Sequence, residues 1–380
     1  MAIKLGVSLY SYQQAQFFKE LSLEDQIREV GQNLPGADGI EIIDEMSLHY
    51  PDPGEHFVRR WFAWMEQYST TPVTMDVALD VLQFRDHVMT YDEAVERLER
   101  DIRLAKRLGF RNVRVLSVCP FDVLVRALPL AEKLDIRLGK EIHQPMRLEG
   151  RQVAEIVEHI EKTGTMHLGI VPDFGIFGTR PSEVVLAQYE RRGAKPEASI
   201  ASVELAAELR AGRAPFDARE LVDHTAGNLR VAFKQFLTTG NSVAELRRVF
   251  SALQTYVRDR VPNPTELDFI VVSEAIMLSN TSLETMRQLA KYVINVHGKF
   301  NYMSEIPGQP GEYTDIAIDY DGAIAALTAG GFDGYVNSEY EGQRYFHDLS
   351  RAEMMDEVEQ VRRHQKMLRR LTRNVGATRV

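Results

Sequence analysis

The 380-residue sequence contains a single cysteine, Cys119, so no disulfide can form within the chain and a reducing compartment is expected. Its first residues lack the basic segment and apolar core of a secretory signal, since residues 1–6 run directly into a strand-like pattern. No apolar run approaches the roughly 18 residues that a membrane-spanning helix needs. We therefore expect a cytoplasmic protein with no membrane partner.

Several motifs that would indicate a common enzyme class are missing. The sequence has no HExxH, GxxxxGK[ST] or GxSxG pattern, so a zincin, a P-loop enzyme and a serine-triad hydrolase are unsupported. The formal net charge of -10 disfavours nucleic acid as the main partner. Hydrophobic residues make up 44% of the chain, which is enough to build a large buried core.

What the chain does contain is a regular alternation of short apolar runs and longer helical patterns, which predicts βαβ units and a parallel sheet. Eight runs have the character of strands: 3–10, 39–44, 73–77, 112–118, 136–143, 168–173, 293–300 and 334–339. An open doubly wound sheet is the alternative, but no Gly-rich GxGxxG turn follows the first run. We therefore predict an α/β fold, a single (β/α)8 TIM-barrel domain over residues 1–380.

The helices between these strands have recognisable starts and faces. Thr90, with Glu93 three residues later, forms a capping-box pattern. Pro129 stands where it could begin a short helix before the fifth strand. The predicted buried face of a helix over 55–68 is an apolar stripe of Phe57, Trp61, Phe62 and Met65.

One connection is much longer than the others. From Asp173 to His297 the chain runs 124 residues, and the excess, about 180–280, is helical by pattern. Its strongest apolar periodicity lies in Leu221–Phe236 and Val243–Val257. Because this insertion leaves the carboxyl end of the sixth strand, we expect it to cap the active-site face or to form a partner surface. Residues 351–380 are predicted to be a C-terminal helix and tail.

Polar residues end four successive strands. Because the carboxyl ends of barrel strands meet at one mouth, we expect Glu141, Asp173, His297 and Glu339 to converge there. Taken singly, each is as easily explained as a helix cap, a loop residue or a hydrogen-bonded core histidine. Taken together, three carboxylates and one imidazole predict one divalent metal site, with Mn²⁺, Mg²⁺ or Co²⁺ favoured and Zn²⁺ possible.

Other polar residues would lie around this site. His143 is two residues beyond Glu141, so on a strand both side chains point to the same face. It is a candidate general base, fifth metal ligand or substrate donor, with a structural histidine at the barrel rim as the alternative. Tyr10, Lys299 and Arg344 are candidates for substrate binding, although each could equally be a packing or loop residue.

These strand ends resemble the xylose-isomerase-like superfamily of sugar phosphate isomerases and epimerases. The resemblance covers about 1–178 and 290–342, and its most specific part is the run Gly334-Tyr-Val-Asn-Ser-Glu-Tyr-Glu-Gly342 after an Ala-Gly-Gly-Phe-Asp turn. The long insertion and the histidine two residues after the fifth-strand ligand depart from simple epimerases. Both features resemble the alpha (catalytic) subunit of the bacterial C-glycoside deglycosidases.

The resemblance implies a chemistry and a partner. It implies a barrel subunit that binds a divalent metal, commonly Mn²⁺, and pairs with a small β-sandwich subunit in a hetero-oligomer. The implied substrate is an aromatic C-glucoside, such as a flavonoid, usually oxidised first at sugar C3. We hypothesise that His143 abstracts the proton at C2 and that β-elimination then breaks the carbon–carbon bond, so the enzyme is a lyase.

Three alternatives remain open at this stage. A sugar isomerase or epimerase would use Glu141 and Glu339 to exchange a proton on a keto-sugar. A phosphodiesterase of the endonuclease-like branch would need more His and Asp ligands and a basic surface, which the charge of -10 disfavours. A non-catalytic partner subunit would bind no metal.

Overall fold

The computed structural model describes residues 2–79, 81–216 and 226–377 and contains one eight-stranded parallel sheet. The strands are β1 Lys4–Ser8, β2 Ala37–Ile43, β3 Thr71–Val77, β4 Asn112–Val115, β5 Arg137–Ile142, β6 Leu168–Pro172, β7 Val296–Phe300 and β8 Tyr335–Tyr340. Each predicted strand is confirmed, with ends shifted by up to three residues.

The sheet curls into a barrel. β1 pairs with both β2 and β8, β8 pairs with β7, and the remaining neighbours follow chain order from β2 to β6. Two isolated parallel bridges, Ile170 with Val293 and Asp173 with His297, join β6 to β7 and close the ring. The predicted TIM barrel is therefore confirmed, and the carboxyl ends of all eight strands surround one mouth.

Helices surround the barrel and fill the long connection between β6 and β7. Their bounds are α1 Gln13–Phe17, α2 Leu23–Asn33, α3 Asp44–Ser47, α4 Gly54–Tyr68, α5 Tyr91–Arg107, α6 Phe121–Leu134, α7 Arg151–Thr163, α8 Glu183–Arg191, α9 Pro196–Arg210, α10 Ala226–Thr239, α11 Ala244–Arg260, α12 Glu266–Ser273, α13 Leu283–Leu289, α14 Tyr320–Ala329 and α15 Glu357–Ala377. None of these helices, within the described ranges, combines the length and hydropathy needed to span a bilayer.

Two details of the predicted helices were wrong. Pro129 does not begin a helix but lies inside α6. Proline has no backbone N–H to donate within the helix, but packing of the buried face of α6 holds the helix against the barrel. That face consists of Val123, Leu124, Ala127, Leu128 and Ala131. In α4, Phe62 is 44% exposed, and Trp64 occupies the buried face with Trp61 and Met65 instead. Phe57 is only partly buried against the core.

The helices α8 to α12 have a hydrophobic cluster of their own, separate from the barrel core. It is centred on Phe233, Phe250 and Leu253, and the two phenylalanine rings lie 5.1 Å apart. The cluster spans residues 186–278, within the range predicted as an insertion. The part of the predicted helix at residues 221–225 lies outside the described residues.

The C-terminal helix α15 closes the side of the barrel near β7 and β8. The His364 ring stacks on Phe300 at 4.1 Å between centroids, and its Nδ1 lies 2.7 Å from Ser338 Oγ. The Gln365 side-chain amide donates to Gly6 O on β1 at 2.7 Å. The helix therefore helps to fix the strands that carry the site.

Candidate metal centre

The four predicted metal ligands lie at the mouth of the barrel, where the registers of β5 to β8 bring them together. Asp173 is bridged to His297, and β8 pairs with β7 so that Glu339 is opposite Lys299. All four predicted ligands are buried. A parallel barrel thus converts residues far apart in sequence into one cluster.

His297 is the centre of this cluster. Its Nδ1 lies 3.4 Å from Glu141 Oε1 and 3.2 Å from Glu339 Oε2, without hydrogen-bond geometry. Glu141, Asp173 and His297 can each offer one ligand atom with all three atoms within 4.8 Å of one another. Glu339 joins them through its contact with His297.

Three buried atoms of the four predicted ligands have no hydrogen-bond partner among the described residues. Asp173 Oδ1 accepts from the Gly175 backbone N–H at 2.6 Å, but its Oδ2 has no partner, and neither has either ring nitrogen of His297. A buried polar atom without a partner is costly unless something else satisfies it. Oxygen and imidazole nitrogen donors of this kind fit a divalent ion such as Mn²⁺.

Three further charged residues project into the barrel below these four. Glu41 from β2 lies 3.0 Å from His297 Nε2, and Asp76 from β3 lies 3.8 Å from the same nitrogen. Arg114 from β4 contacts Asp76 at 3.1 Å, Glu141 at 3.7 Å and Glu339 at 3.9 Å. None of these three residues was predicted from the sequence as a metal ligand.

Glu41 and Arg114 were not predicted as site residues because they lie within strands and not at their carboxyl ends. Glu41 and Arg114 are flanked by apolar residues and precede the strand ends on which the sequence analysis concentrated. The only available signal was a charged residue inside an otherwise apolar strand. Such a residue is expensive to bury, so it needs a charged partner within the barrel.

Burial and charge compete in setting the pKa values here. Burial raises the pKa of Asp173 to about 6 against the lowering effect of Lys299. Burial also acts to raise the pKa of Glu141, but Arg114, His297 and His143 together outweigh it and hold that pKa well below its usual range. For His297, burial acts to lower the pKa, but Glu339 and Glu41 raise it well above its ordinary value.

His143 lies beside the cluster and faces a lysine. Its Nδ1 is 2.7 Å from the Gln144 carbonyl oxygen and its Nε2 is 2.7 Å from Lys299 Nζ. An Nδ1–H that donates to the carbonyl leaves the Nε2 lone pair on the cavity side. Lys299 Nζ also lies 3.9 Å from Asp173 Oδ2, so a single side chain, that of Lys299, connects His143 to the candidate metal centre.

The three predicted substrate-binding residues are linked through a fourth residue, Glu341. Lys299 Nζ lies 2.5 Å from Glu341 Oε2, and Arg344 pairs with the other oxygen of the same carboxylate. Arg344 also donates to the Tyr10 hydroxyl at 2.9 Å. Tyr10, Lys299 and Arg344 therefore lie on one polar wall of the mouth.

A cavity at the mouth is lined by residues of both the barrel and the insertion. His143, Lys299 and Arg344 line the barrel side, and Arg230 and Glu274 line the insertion side. Arg230 pairs with Glu274 at 2.9 Å. Residues of the long connection between β6 and β7 thus line one side of this cavity.

The chain is similar to known proteins in sequence and in structure. No family model matches the chain. It is 28% identical over 341 residues to the 3'-dehydrocarminate deglycosidase alpha subunit of Microbacterium sp, covering 89% of this chain and 88% of that protein. It is 27% identical over 377 residues to a C-glycoside deglycosidase alpha subunit of Arthrobacter globiformis, covering 99% and 94%. The chain is a relative of these alpha subunits.

Solved structures give a more distant comparison. An L-ribulose 3-epimerase covers 99% of this chain, with 96% of its own length matched, 14% identity and a TM-score of 0.49. The zinc-bound IOLI protein matches 100% of this chain and 99% of its own, with 13% identity and a TM-score of 0.49. These similarities are too distant to assign an activity.

Proposed function

We propose that this chain is the catalytic alpha subunit of a C-glycoside deglycosidase, a lyase that cleaves the carbon–carbon bond between a 3-oxo glucose and an aromatic aglycon. The observation that carries the proposal is the position of His143. Its Nε2 opens into the cavity beside the candidate metal ligands, in a chain whose relatives over nearly the full length are deglycosidase alpha subunits.

The residues that would hold the metal are Glu141, Asp173, His297 and Glu339, with Mn²⁺ as the favoured ion. The fit rests on the unpartnered Asp173 Oδ2 and His297 Nδ1 and on the predominance of oxygen donors. A divalent ion bound there would supply Lewis acidity to the sugar carbonyl and acidify the neighbouring C–H.

His143 would remove the proton from sugar C2. The electron pair of that C–H bond forms a C1–C2 double bond as the C1–aryl bond breaks, and the aryl carbon leaves with the bonding pair and takes up a proton. The reaction is a β-elimination and consumes no water. The Nδ1–H bond to Gln144 O keeps the reacting Nε2 free of a proton.

Lys299 would give up its contact with His143 Nε2 when substrate binds. Its charge is held in place by Glu341 and Asp173, which raise the pKa of Lys299 above its ordinary value although burial acts to lower it. A fixed ammonium group next to the reacting sugar stabilises negative charge that develops on the sugar oxygens. Tyr10, which is half-buried, and Arg344, which is exposed, would bind hydroxyl groups.

We further propose a partner subunit, because the relatives are named alpha subunits. The surface proposed for it is the rim of the mouth away from the insertion, where large apolar side chains are exposed in the connections that follow β1, β3 and β4. These are Phe17, Val88, Tyr91 and Val118. The connections after β1 and β3 are joined through α3, since Gln16 donates to Met46 O and Arg97 joins Glu45 to Gln83.

The test is a cleavage assay with an aromatic 3-oxo-C-glucoside and added Mn²⁺, with and without a co-expressed small subunit. We expect release of the aglycon, and we expect His143→Gln to reduce kcat by roughly 10²–10⁴-fold while metal binding is retained. Near-normal turnover of His143→Gln would refute the role of this residue. Glu161→Gln, a surface change, is the control.

A sugar isomerase or epimerase is the competing function, in which Glu141 and Glu339 would move the proton instead. It predicts that a free ketohexose with Mn²⁺ yields its epimer. Formation of the epimer without cleavage of any C-glucoside would overturn the deglycosidase proposal.

A further inference from the structure

Glu41 is buried in the barrel and reaches across it from β2 to residues of the opposite wall. One of its carboxylate oxygens, Oε2, accepts from the Asn295 side-chain amide at 2.7 Å and from the Asn337 amide at 2.8 Å. The two asparagines are themselves linked, because Asn337 donates to Asn295 Oδ1 at 3.2 Å. The carboxylate is therefore fixed in orientation by two donors.

The other oxygen, Oε1, lies 3.0 Å from His297 Nε2, a charged contact without hydrogen-bond geometry, and neither atom has a hydrogen-bond partner among the described residues. His297 presents its second nitrogen, Nδ1, to Glu141 and Glu339 on the opposite side of the ring. A neutral imidazole carries its proton on one nitrogen and its lone pair on the other. A carboxylate oxygen 3.0 Å from Nε2 favours the proton on that nitrogen and leaves the lone pair on Nδ1.

We propose that Glu41 is a positioning residue, which orients His297 and holds its Nε2–H tautomer so that Nδ1 is available to a metal ion. The inference rests on the proposed metal centre and assigns it a support that comes from the far side of the barrel. A carboxylate that accepts from a ligating histidine fixes the ring and increases its basicity as a ligand.

A second metal ion is the other function that this cluster suggests, since Glu41, Asp76 and His297 could also bring three ligand atoms together. Glu41 Oε1, Asp76 Oδ1 and His297 Nε2 also have no hydrogen-bond partner among the described residues, but two observations disfavour a second ion. Arg114 already pairs with Asp76 Oδ2 at 3.1 Å, and the Glu41 Oε2 is already occupied by two amide donors. A cationic guanidinium in that position repels a divalent ion.

The substitution Glu41→Gln has a defined conflict. The NH₂ group of the new glutamine must face either the Nε2–H of His297 or the two asparagine amide groups. All of these are hydrogen-bond donors, so the NH₂ group meets a donor in either orientation. If it faces His297, it favours the wrong tautomer, with the proton on Nδ1. Adding Asn337→Asp supplies a carboxylate that accepts from the amide group of the new glutamine. The glutamine oxygen can then face His297 Nε2–H, and the Asn295 amide can rotate to donate to the new aspartate.

The experiment is calorimetric titration of metal-free protein with MnCl₂ and with ZnCl₂, with thermal unfolding of each variant to verify folding. We expect one ion per chain for the native sequence, roughly 10–100-fold weaker binding for Glu41→Gln, and recovery in the double variant Glu41→Gln/Asn337→Asp. Glu357→Gln is the matched control, since Glu357 is equally buried but its Oε1 accepts from the Ala15 N–H away from the site.

The outcomes separate the two proposals. If the native chain binds no divalent ion, the metal centre itself is wrong. If it binds one ion and Glu41→Gln binds that ion as tightly, only the positioning role of Glu41 is overturned. Two ions per chain, or equal weakening in Glu357→Gln, would also overturn it. If Glu41→Gln fails to fold, the test compares the folded double variant with the single variant Asn337→Asp. The inference requires that the double variant bind the metal ion more tightly than Asn337→Asp.

Discussion

Arg114 is the internal counterion of the candidate site, and its replacement by methionine is the sharpest perturbation of the site's electrostatics. The guanidinium is 3% exposed and lies 3.1 Å from Asp76, 3.7 Å from Glu141 and 3.9 Å from Glu339. Burial acts to lower the pKa of Arg114, but these carboxylates raise it well above its ordinary value. Methionine preserves much of the apolar stem and removes the charge.

The expected loss of stability follows from leaving buried carboxylates without their partner. Removing one member of a buried ion pair costs about 3–5 kcal/mol. An unfolding entropy of roughly 2.1 cal/mol/K per residue amounts to about 0.8 kcal/mol/K for a chain of 380 residues. Arg114→Met should therefore lower the Tm of the metal-free protein by about 4–6 °C.

Metal binding should change in the opposite direction from stability. Because Arg114 repels a cation held by Glu141 and Glu339, its loss should tighten Mn²⁺ binding. Tm is measured by calorimetry with EDTA and then with excess MnCl₂, and Kd by titration. A Tm within 1 °C of the native value, or weaker Mn²⁺ binding by a folded variant, would refute the counterion role of Arg114.

Arg97→Met is the matched control. Arg97 is buried to the same degree and pairs with Glu45 at 2.5 Å, with Asp101 at 3.5 Å and with Asp44 at 3.7 Å, outside the candidate metal centre. We expect a comparable loss of Tm and no change in the Kd for Mn²⁺. A change in Kd for this variant as well would mean that general destabilisation, and not local charge, affects metal binding.

Two further predictions concern pH and packing. Burial and the neighbouring Asp101 raise the pKa of Asp44 to about 7. The free energy of unfolding should therefore fall by up to about 4 kcal/mol as pH rises from about 4 to 7. In denaturant titrations across this range, Asp44→Asn should flatten the fall, while Glu45→Gln should not. A Cβ added at Gly6 would lie 2.2 Å from Asn337 Oδ1. Gly6→Ala should therefore lower the free energy of unfolding by about 1–3 kcal/mol, and it should weaken Mn²⁺ binding by displacing Asn337 from Glu41. An unchanged Mn²⁺ affinity in calorimetry would contradict this prediction.

The architecture of this protein could be predicted because it depends on local pattern. Short buried runs separated by helical periodicity predict a parallel α/β sheet, and the capping box at Thr90 and Glu93 forms as predicted. Pro129 misled the prediction because tertiary packing on one face of α6 outweighs a local helix breaker. Phe62 misled it because a hydrophobic stripe does not by itself show which of two neighbouring aromatic residues, Phe62 or Trp64, the barrel covers.

The sequence by itself determined the strands, their carboxyl ends and the residues Glu141, Asp173, His297 and Glu339, because chain order and the parallel barrel rule place those ends at one mouth. Only the tertiary structure decided what lies behind His297. Glu41 is more than 250 residues away in sequence and meets it through a closed barrel. Such contacts arise from closure of the sheet, because the side chains that point into a barrel meet partners from strands that are not their neighbours in the chain.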